Sequence, residues 1–281
     1  MDIYYIDGNF VSGDDAVIPA GDLIVLRGYG VFDYLVTYNK RPFHLDAHAR
    51  RLEKSAEQIG LPLAHSRADI CAIVEETLHR NAHHVESSIR IVYTGGISED
   101  GLTPEGNGKL MVMVTARPEM PAEWYQKGAK VITLELDRFL PGTKSTNYLS
   151  AVWAIGKARR QGAAEAIYID RQQRLFEGTT SNFYCFDHNR LITPDVDVLP
   201  GITRNVILDL AKNEFDVELR PIEMAEVATM RDVFISSSNK EIVPVVQIND
   251  TVIGDGRPGA GTQRVMQLFR EYTTAYGQGR I

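Results

Sequence analysis

The feature that most restricts the fold is a break, Pro118–Glu123, that carries two prolines and has a mixture of strand-like and helix-like runs on both sides. Before it, Ile3–Ile6 and Asn9–Val11 flank Asp7-Gly8, a strong two-residue hairpin signal. Leu26–Tyr38 reads as a glycine-punctuated entry into a β-branched and aromatic strand, turned back by Asn39–Pro42. His48–Ile59 has helical spacing at Leu52, Ala56 and Ile59, and Ser66–Asn81 opens with the Ser66-x-x-Asp69 capping pattern. Strands follow at Ser88–Thr94 and Leu110–Val114. After the break the mixture restarts. Val131–Leu136, Ala166–Asp170, Leu175–Glu177, Asn182–Phe186, Asp232–Ser236, Val243–Ile248 and Thr251–Ile253 read as strands. Tyr148–Arg160, a segment after Leu199 and Gln263–Ala275 read as helices. Meandering strands with interspersed helices predict an α+β fold in two domains, 1–118 and 126–281, with 119–125 as linker.

A formal net charge of -7 and the lack of a basic tract argue against a nucleic-acid or membrane-surface partner. Cys71 and Cys185 lie far apart and form neither a disulfide framework nor a metal spacing. The first residues have no basic segment leading into an apolar one, and no uncharged apolar run approaches the roughly 20 residues of a membrane helix. The expectation is a cytoplasmic protein.

Two motif matches are rejected. Gly254-Asp255-Gly256-Arg257-Pro258-Gly259 fits G-x-G-x-x-G, but too little chain remains for a βαβ unit and Pro258 sits where the helix should begin. His44 and His48 lack the glutamate of a zinc-protease helix, and no third ligand is spaced to join the adjacent His83 and His84, so no metal is expected.

Four polar stretches are each ordinary when taken singly. Lys144 stands among Gly, Thr, Ser, Thr and Asn, between a strand and a helix; a solvated loop lysine is the plain reading, a nucleophilic amine the sharp one. Glu177 in E-G-T-T-S-N is either a solvated turn carboxylate or a partner for a pyridine nitrogen. Pro200–Arg204 is either a plain helix start or a set of unpaired N–H groups facing an anion, and Ser236–Asn239 offers a second nest of donors.

Their order decides between these readings. H-A-R-R-L at 48–52, L-P-G-T-K-S-T-N-Y-L at 140–149, E-G-T-T-S-N at 177–182, G-I-T-R at 201–204, S-S-S-N-K-E-I-V-P-V at 236–245 and the closing G-D-G-R-P-G-x-x-T together resemble the class IV, fold-type IV pyridoxal-phosphate aminotransferases. That group holds branched-chain and D-amino-acid aminotransferases and aminodeoxychorismate lyase. The resemblance implies a two-domain α+β subunit with pyridoxal 5'-phosphate in the interdomain cleft, working as a homodimer on amino acids and 2-oxo acids. It makes Lys144 the Schiff-base lysine and catalytic acid/base, and pairs Glu177 with the pyridine nitrogen. Tyr148 would meet the ring hydroxyl, although it follows the lysine one residue sooner than in branched-chain enzymes. Arg51, Ile202, Thr203 and Ser238 would bind its phosphate, and Asn239 would join the cofactor site.

The substrate end departs from both familiar patterns. Gly95–Gly101 lacks the R-x-H pair of the common D-amino-acid enzymes, and Val36 stands where branched-chain enzymes carry arginine. Arg27 and Arg90, with Tyr29 between them in sequence, look like the less usual D-amino-acid aminotransferases and are expected to bind substrate. The expected activity is ping-pong transamination of a D-amino acid of the alanine or glutamate type. Branched-chain L-transamination, the lyase reaction and a non-catalytic phosphate-ligand binding protein are the alternatives.

Overall fold

The structure, a computed structural model, describes residues 1–281. The chain groups into two compact units: Met1–Pro118 with Thr143–Tyr148 and Ala275–Ile281, and Glu119–Gly142 with Leu149–Thr274.

The first unit contains β1 (Ile3–Ile6), β2 (Asn9–Ser12), α1 (Leu23–Arg27), β3 (Gly30–Tyr38), β4 (Arg41–Pro42), α2 (Leu45–Gln58), α3 (Arg67–Arg80), β5 (Ser87–Thr94) and β6 (Leu110–Ala116). Six strands form one sheet in the order β2-β1-β6-β5-β3-β4. Asp7 and Gly8 both take positive φ, as does the pair Asn39 and Lys40, so each two-residue turn carries the twist of its hairpin. One sheet face supplies Val31, Leu35, Ile89, Ile91, Val112 and Val114, which bury against Ala49, Leu52 and Ala56 of α2 and Ile70 and Val74 of α3. The Ser66 capping box forms as expected.

Leu26 and Arg27, expected at the entry to β3, instead end α1, which is capped by the Asp22 side chain and closed by Gly28 at φ 64°. Two later pieces of chain return to this unit. Ser145 bridges Val31. The Tyr276 hydroxyl donates to Pro42 O at 2.9 Å and accepts from His44 N at 3.0 Å, while the Arg41 guanidinium lies 4.3 Å over the Tyr276 ring. The expected division into 1–118, linker 119–125 and 126–281 does not contain these returns, and α4 (Ala122–Lys127) begins inside the expected linker.

The second unit continues with β7 (Ala129–Glu135), α5 (Leu149–Arg160), β8 (Glu165–Ile169), β9 (Arg174–Gly178), β10 (Asn182–Asp187), β11 (Arg190–Thr193), α6 (Ile202–Ala211), β12 (Asp216–Leu219), β13 (Ile222–Glu223), β14 (Asp232–Ser237), β15 (Glu241–Ile248), β16 (Thr251–Val252) and α7 (Ala260–Gly277). The path β10-β14-β15-β7-β8-β9 returns on itself through the pairing of Glu177 with Asn182, so these six strands close into a ring of pairings. Alternation along them is the reason two cores form. Val131, Ile167, Ile169, Phe183, Cys185, Val233, Ile235, Val243 and Val245 fill one cluster, while Ile132, Ala166 and Tyr168 turn the other way onto Ala154 and Ala158 of α5. The shared strand Asn182–Asp187 and the loop after Glu177 thereby acquire fixed positions. No helix is long and apolar enough to cross a membrane.

Candidate active site

In the first unit, the segment carrying Lys144 is stitched to the start of β3. Phe32 N donates to Lys144 O at 3.0 Å, Thr146 N to Gly30 O at 2.9 Å and Thr146 Oγ1 to Gly28 O at 2.7 Å. Helix α2 holds the other side: Lys144 N donates to Ser55 Oγ at 3.1 Å, and Thr143 Oγ1 to Gln58 Oε1 at 2.7 Å. A Cβ on Gly30 would lie 2.8 Å from Tyr93 O, which is why this crossing needs glycine. The half-buried Lys144 places Nζ 4.7 Å from the Phe32 ring centre, and Tyr148 meets the same ring edge-on at 5.1 Å.

Arg51, on the buried side of α2, forks onto Asp33: Nε donates to Oδ2 at 2.9 Å and Nη2 to Oδ1 at 2.8 Å. His48 Nδ1 meets Asp33 Oδ1 at 2.6 Å, while its Nε2 is buried with no partner. Burial would raise the Asp33 carboxyl, but the Arg51 guanidinium and His48 outweigh it and hold the group well below the usual carboxylate range. Burial pushes His48 down; Asp33 opposes this, and the nearby Arg51 and Lys144 cations reinforce it. The cluster therefore reads as ionised Asp33, ionised Arg51 and a neutral imidazole.

The expected substrate residues occupy the same unit. Arg27 ends α1, exposed, with Nη1 donating to Leu26 O at 2.9 Å. Tyr29 donates its hydroxyl to Ile59 O at 3.0 Å. Arg90 is exposed on β5, opposite Tyr34 of β3, its guanidinium 5.8 Å from the Tyr34 ring centre. Neither arginine forms an ion pair; Asp33 goes to Arg51 and His48, and Asp46 to Arg50 and Arg67.

In the second unit, three sequence motifs converge on the start of β10. Glu177 is buried; it accepts from Arg138 Nη1, from Asn182 Nδ2 at 3.3 Å and from Leu199 N at 3.0 Å. Asn182 also donates to Leu199 O at 3.0 Å and pairs with Ser236 across the sheet. The same asparagine thus ties together the Glu177 turn, the loop leading to α6 and the end of β14. Gly201 caps α6 without a side-chain acceptor, the first turn carries no acidic residue, and Ile202 and Thr203 supply its first buried positions. A Cβ at Gly201 would stand 2.2 Å from Asn182 Oδ1. Ser238 and Asn239 form the turn between β14 and β15, where Ser237 Oγ lies 2.9 Å from Asn239 Oδ1.

Sequence reasoning missed Arg138, Asn182 and Asp33. Asn182 was visible as the last letter of E-G-T-T-S-N, and Asp33 as a charge in an otherwise apolar strand. Arg138 had no signal beyond its place ahead of the lysine segment.

Each unit, taken by itself, carries donors that suit part of a phosphorylated pyridine: the amine in the first, the carboxylate and the helix start in the second. A bare glycine-capped helix start suits a phosphate, a buried carboxylate suits a ring N–H, and a half-buried amine suits a carbonyl carbon. A sequence model described as amino-transferase class IV matches residues 30–248. A Methanocaldococcus jannaschii protein named putative branched-chain-amino-acid aminotransferase is 33% identical, over 97% of each chain. A D-alanine aminotransferase of Staphylococcus epidermidis is 31% identical, over 97% of this chain and 98% of its own. Among solved structures, the Escherichia coli branched-chain amino acid aminotransferase superposes with a TM-score of 0.91 at 25% identity, covering 98% of this chain and 95% of that one. A second branched-chain amino acid aminotransferase, solved with pyridoxamine 5'-phosphate, shares the fold at TM-score 0.91 and 23% identity, covering 98% of this chain and 94% of that one. The chain belongs to the class IV aminotransferases, of fold type IV, and is a pyridoxal-phosphate-dependent enzyme.

Proposed function

We propose that this aminotransferase exchanges the amino group of a D-amino acid for the oxo group of a 2-oxo acid, in two half-reactions with the first product leaving before the second substrate binds. The observation that carries the reading is the pair of exposed guanidiniums without carboxylate partners, Arg27 and Arg90. Arg90 shares a sheet face with Phe32, since Phe32 pairs with Val92 and Tyr34 with Arg90. Diagonal neighbours of this kind lie about 7–8 Å apart, within reach of a long side chain. Lys144 Nζ rests on the Phe32 ring. A substrate carboxylate held by Arg90 would therefore bring its Cα toward the Lys144 amine, and a guanidinium fork suits a carboxylate.

In this reading Lys144 carries the cofactor, takes the proton from the substrate Cα at Nζ and returns it. The bound cofactor supplies an electron-withdrawing ring that makes that proton removable. Glu177 keeps the ring nitrogen protonated, Tyr148 meets the ring hydroxyl, Arg51, Ile202, Thr203 and Ser238 hold the phosphate, and Asn239 joins the cofactor site. Tyr29 and Arg27 line the substrate end. The enzyme acts as a homodimer in the cytoplasm.

A second reading, branched-chain L-amino-acid transamination, is favoured by the Methanocaldococcus relative and by the apolar residues Phe32, Val36 and Val92 on the same face as Arg90. Half-reactions followed by absorbance with paired D- and L-amino acids separate the two. Faster bleaching of the visible band by D-alanine and D-glutamate than by their L-forms is the expected result; faster reaction with L-leucine or L-valine overturns it. Arg90→Ala should raise KM for the D-substrates about tenfold or more and affect a primary amine lacking a carboxylate far less.

A further inference from the structure

His83 and His84 follow α3 in an exposed turn, and the sequence offers them no third ligand nearby. The fold supplies one from the other end of the unit. Asp2 Oδ1 lies 2.9 Å from His84 Nε2 and 3.3 Å from His83 Nε2, and the ligand atoms all fall within 4.8 Å of one another. Two imidazoles thus aim the same ring nitrogen at one carboxylate oxygen.

The arrangement is held from outside the cluster. Buried Asn81, which ends α3, accepts from Ile3 N at 2.9 Å and donates to Ile3 O at 2.7 Å. Asp2 O accepts from Gly13 N at 2.9 Å, and His84 N donates to Asn81 O at 3.1 Å. The backbone on both sides of Asp2 is therefore fixed before any ligand arrives. Asp2 has no lysine or arginine partner, and its charge meets only the two imidazoles.

We propose that Asp2, His83 and His84 form a binding site for one divalent transition metal of the zinc class, with solvent completing the coordination. Zinc takes imidazole nitrogen at about 2.0–2.1 Å and carboxylate oxygen at about 2.0–2.2 Å, so adjacent ligands of a tetrahedron stand roughly 3.3 Å apart. The His83 separation of 3.3 Å matches that edge, and the 2.9 Å His84 separation needs only a small opening to reach it. Two nitrogens and one oxygen suit zinc, cobalt or nickel better than magnesium or calcium, which prefer oxygen. His83 is half exposed and gives the ion its entry, while His84 is 13% exposed and anchors it. None of the three residues serves in the transamination proposed above. A bound ion would clamp the chain before β1 to the turn after α3, and so act on stability rather than turnover.

The test is equilibrium dialysis of the holoenzyme, freed of excess cofactor, against zinc chloride, with cobalt absorbance as a second readout. One zinc per chain is expected for the wild type. Asp2→Asn, His83→Ala and His84→Ala should each weaken it at least tenfold, while His188→Ala, an exposed histidine on another turn, leaves it unchanged. Zinc should raise the Tm of the wild type and not of the Asp2→Asn variant. Transaminase activity should be the same in all four variants. Binding that survives in His83→Ala/His84→Ala at wild-type strength, or a wild type that takes up no stoichiometric zinc, overturns the proposal.

Discussion

Asp33 in the first unit and Glu165 in the second are both wholly buried carboxylates, yet they are compensated in different ways. Glu165 accepts from Lys240 Nζ at 2.7 Å, Thr180 Oγ1 at 2.9 Å, Ser181 Oγ at 3.2 Å, the Thr179 hydroxyl and the backbone N–H groups of Ala166 and Thr179. Lys240 also donates to Thr180 at 2.6 Å, so cation and anion share a hydroxyl. That network is closed. Asp33 is met by one guanidinium, one imidazole and the Tyr34 N–H at 2.7 Å, and the imidazole's second nitrogen is left without a partner. Closed buried networks fix a fold; one left open beside a lysine leaves room for a ligand to finish it.

The largest effect should come from breaking the closed network. Lys240→Met strands an ionised carboxylate with no cation, and the loss on unfolding should be about 3–5 kcal/mol, measured by urea denaturation with cofactor present or absent. Asp33→Asn should cost a similar amount in cofactor-free protein, because Arg51 loses its fork. Here the regions should part: beyond the stabilisation that added pyridoxal phosphate gives the wild type, it recovers much of the loss in Asp33→Asn, by giving Arg51 a new anion, and none of the loss in Lys240→Met. Equal recovery, or none in either, would erase the distinction drawn above.

A smaller difference should appear with pH. Folded Asp33 and Glu165 both bind protons less readily than in the unfolded chain: burial opposes this, and Arg51 with His48, or Lys240, prevails. Stability from both is therefore full above about pH 4, the unfolded carboxylate range, and is lost as acid is added below it. The regions differ between about pH 4 and 6.5. Folded His48 also resists protonation, through burial, so unfolding takes up a proton there and stability falls as pH drops below about 6.5. His44 behaves alike, its pKa lowered by burial. His48→Asn should remove part of that slope, by up to about 1.4 kcal/mol per pH unit, and an unchanged slope would mean that His48 is already protonated in the fold. The smallest effect belongs to Arg50, beside Arg51 in sequence but exposed and paired only with Asp46 at i,i+4. Arg50→Ala should leave the unfolding midpoint where it is.

What the sequence revealed follows the range of the interactions involved. The Asp7-Gly8 hairpin and the Ser66 cap are decided within a few residues, and both were legible. Helix α1 was not: five residues are too few for an apolar period, and its signals were only Asp22 and Gly28 at the two ends. The short strands β11 and β12 were likewise missed: β12 finds its partner far away in sequence, and β11, although it hairpins with β10 across His188 and Asn189, is only four residues long. At the site, the motif letters pointed to Lys144, Glu177 and Thr203 because each stands in a polar, glycine-marked stretch. Asp33, Arg138 and Asp2 act on residues 18, 39 and 82 positions away, and no local pattern announces such pairs.

The return of Tyr276 to the turn before α2 sets an order of assembly on the ribosome. Met1–Pro118 emerges first, but the tyrosine that bonds Pro42 and His44 follows only after everything from Glu119 to Thr274 has been made. At about 5–20 residues per second, that is a wait of roughly ten to thirty seconds. Throughout it Phe43 and Arg41 lack the ring they later pack against. The first unit to be synthesised is thus the last to be completed, its turn before α2 waiting for a ring made near the end of synthesis.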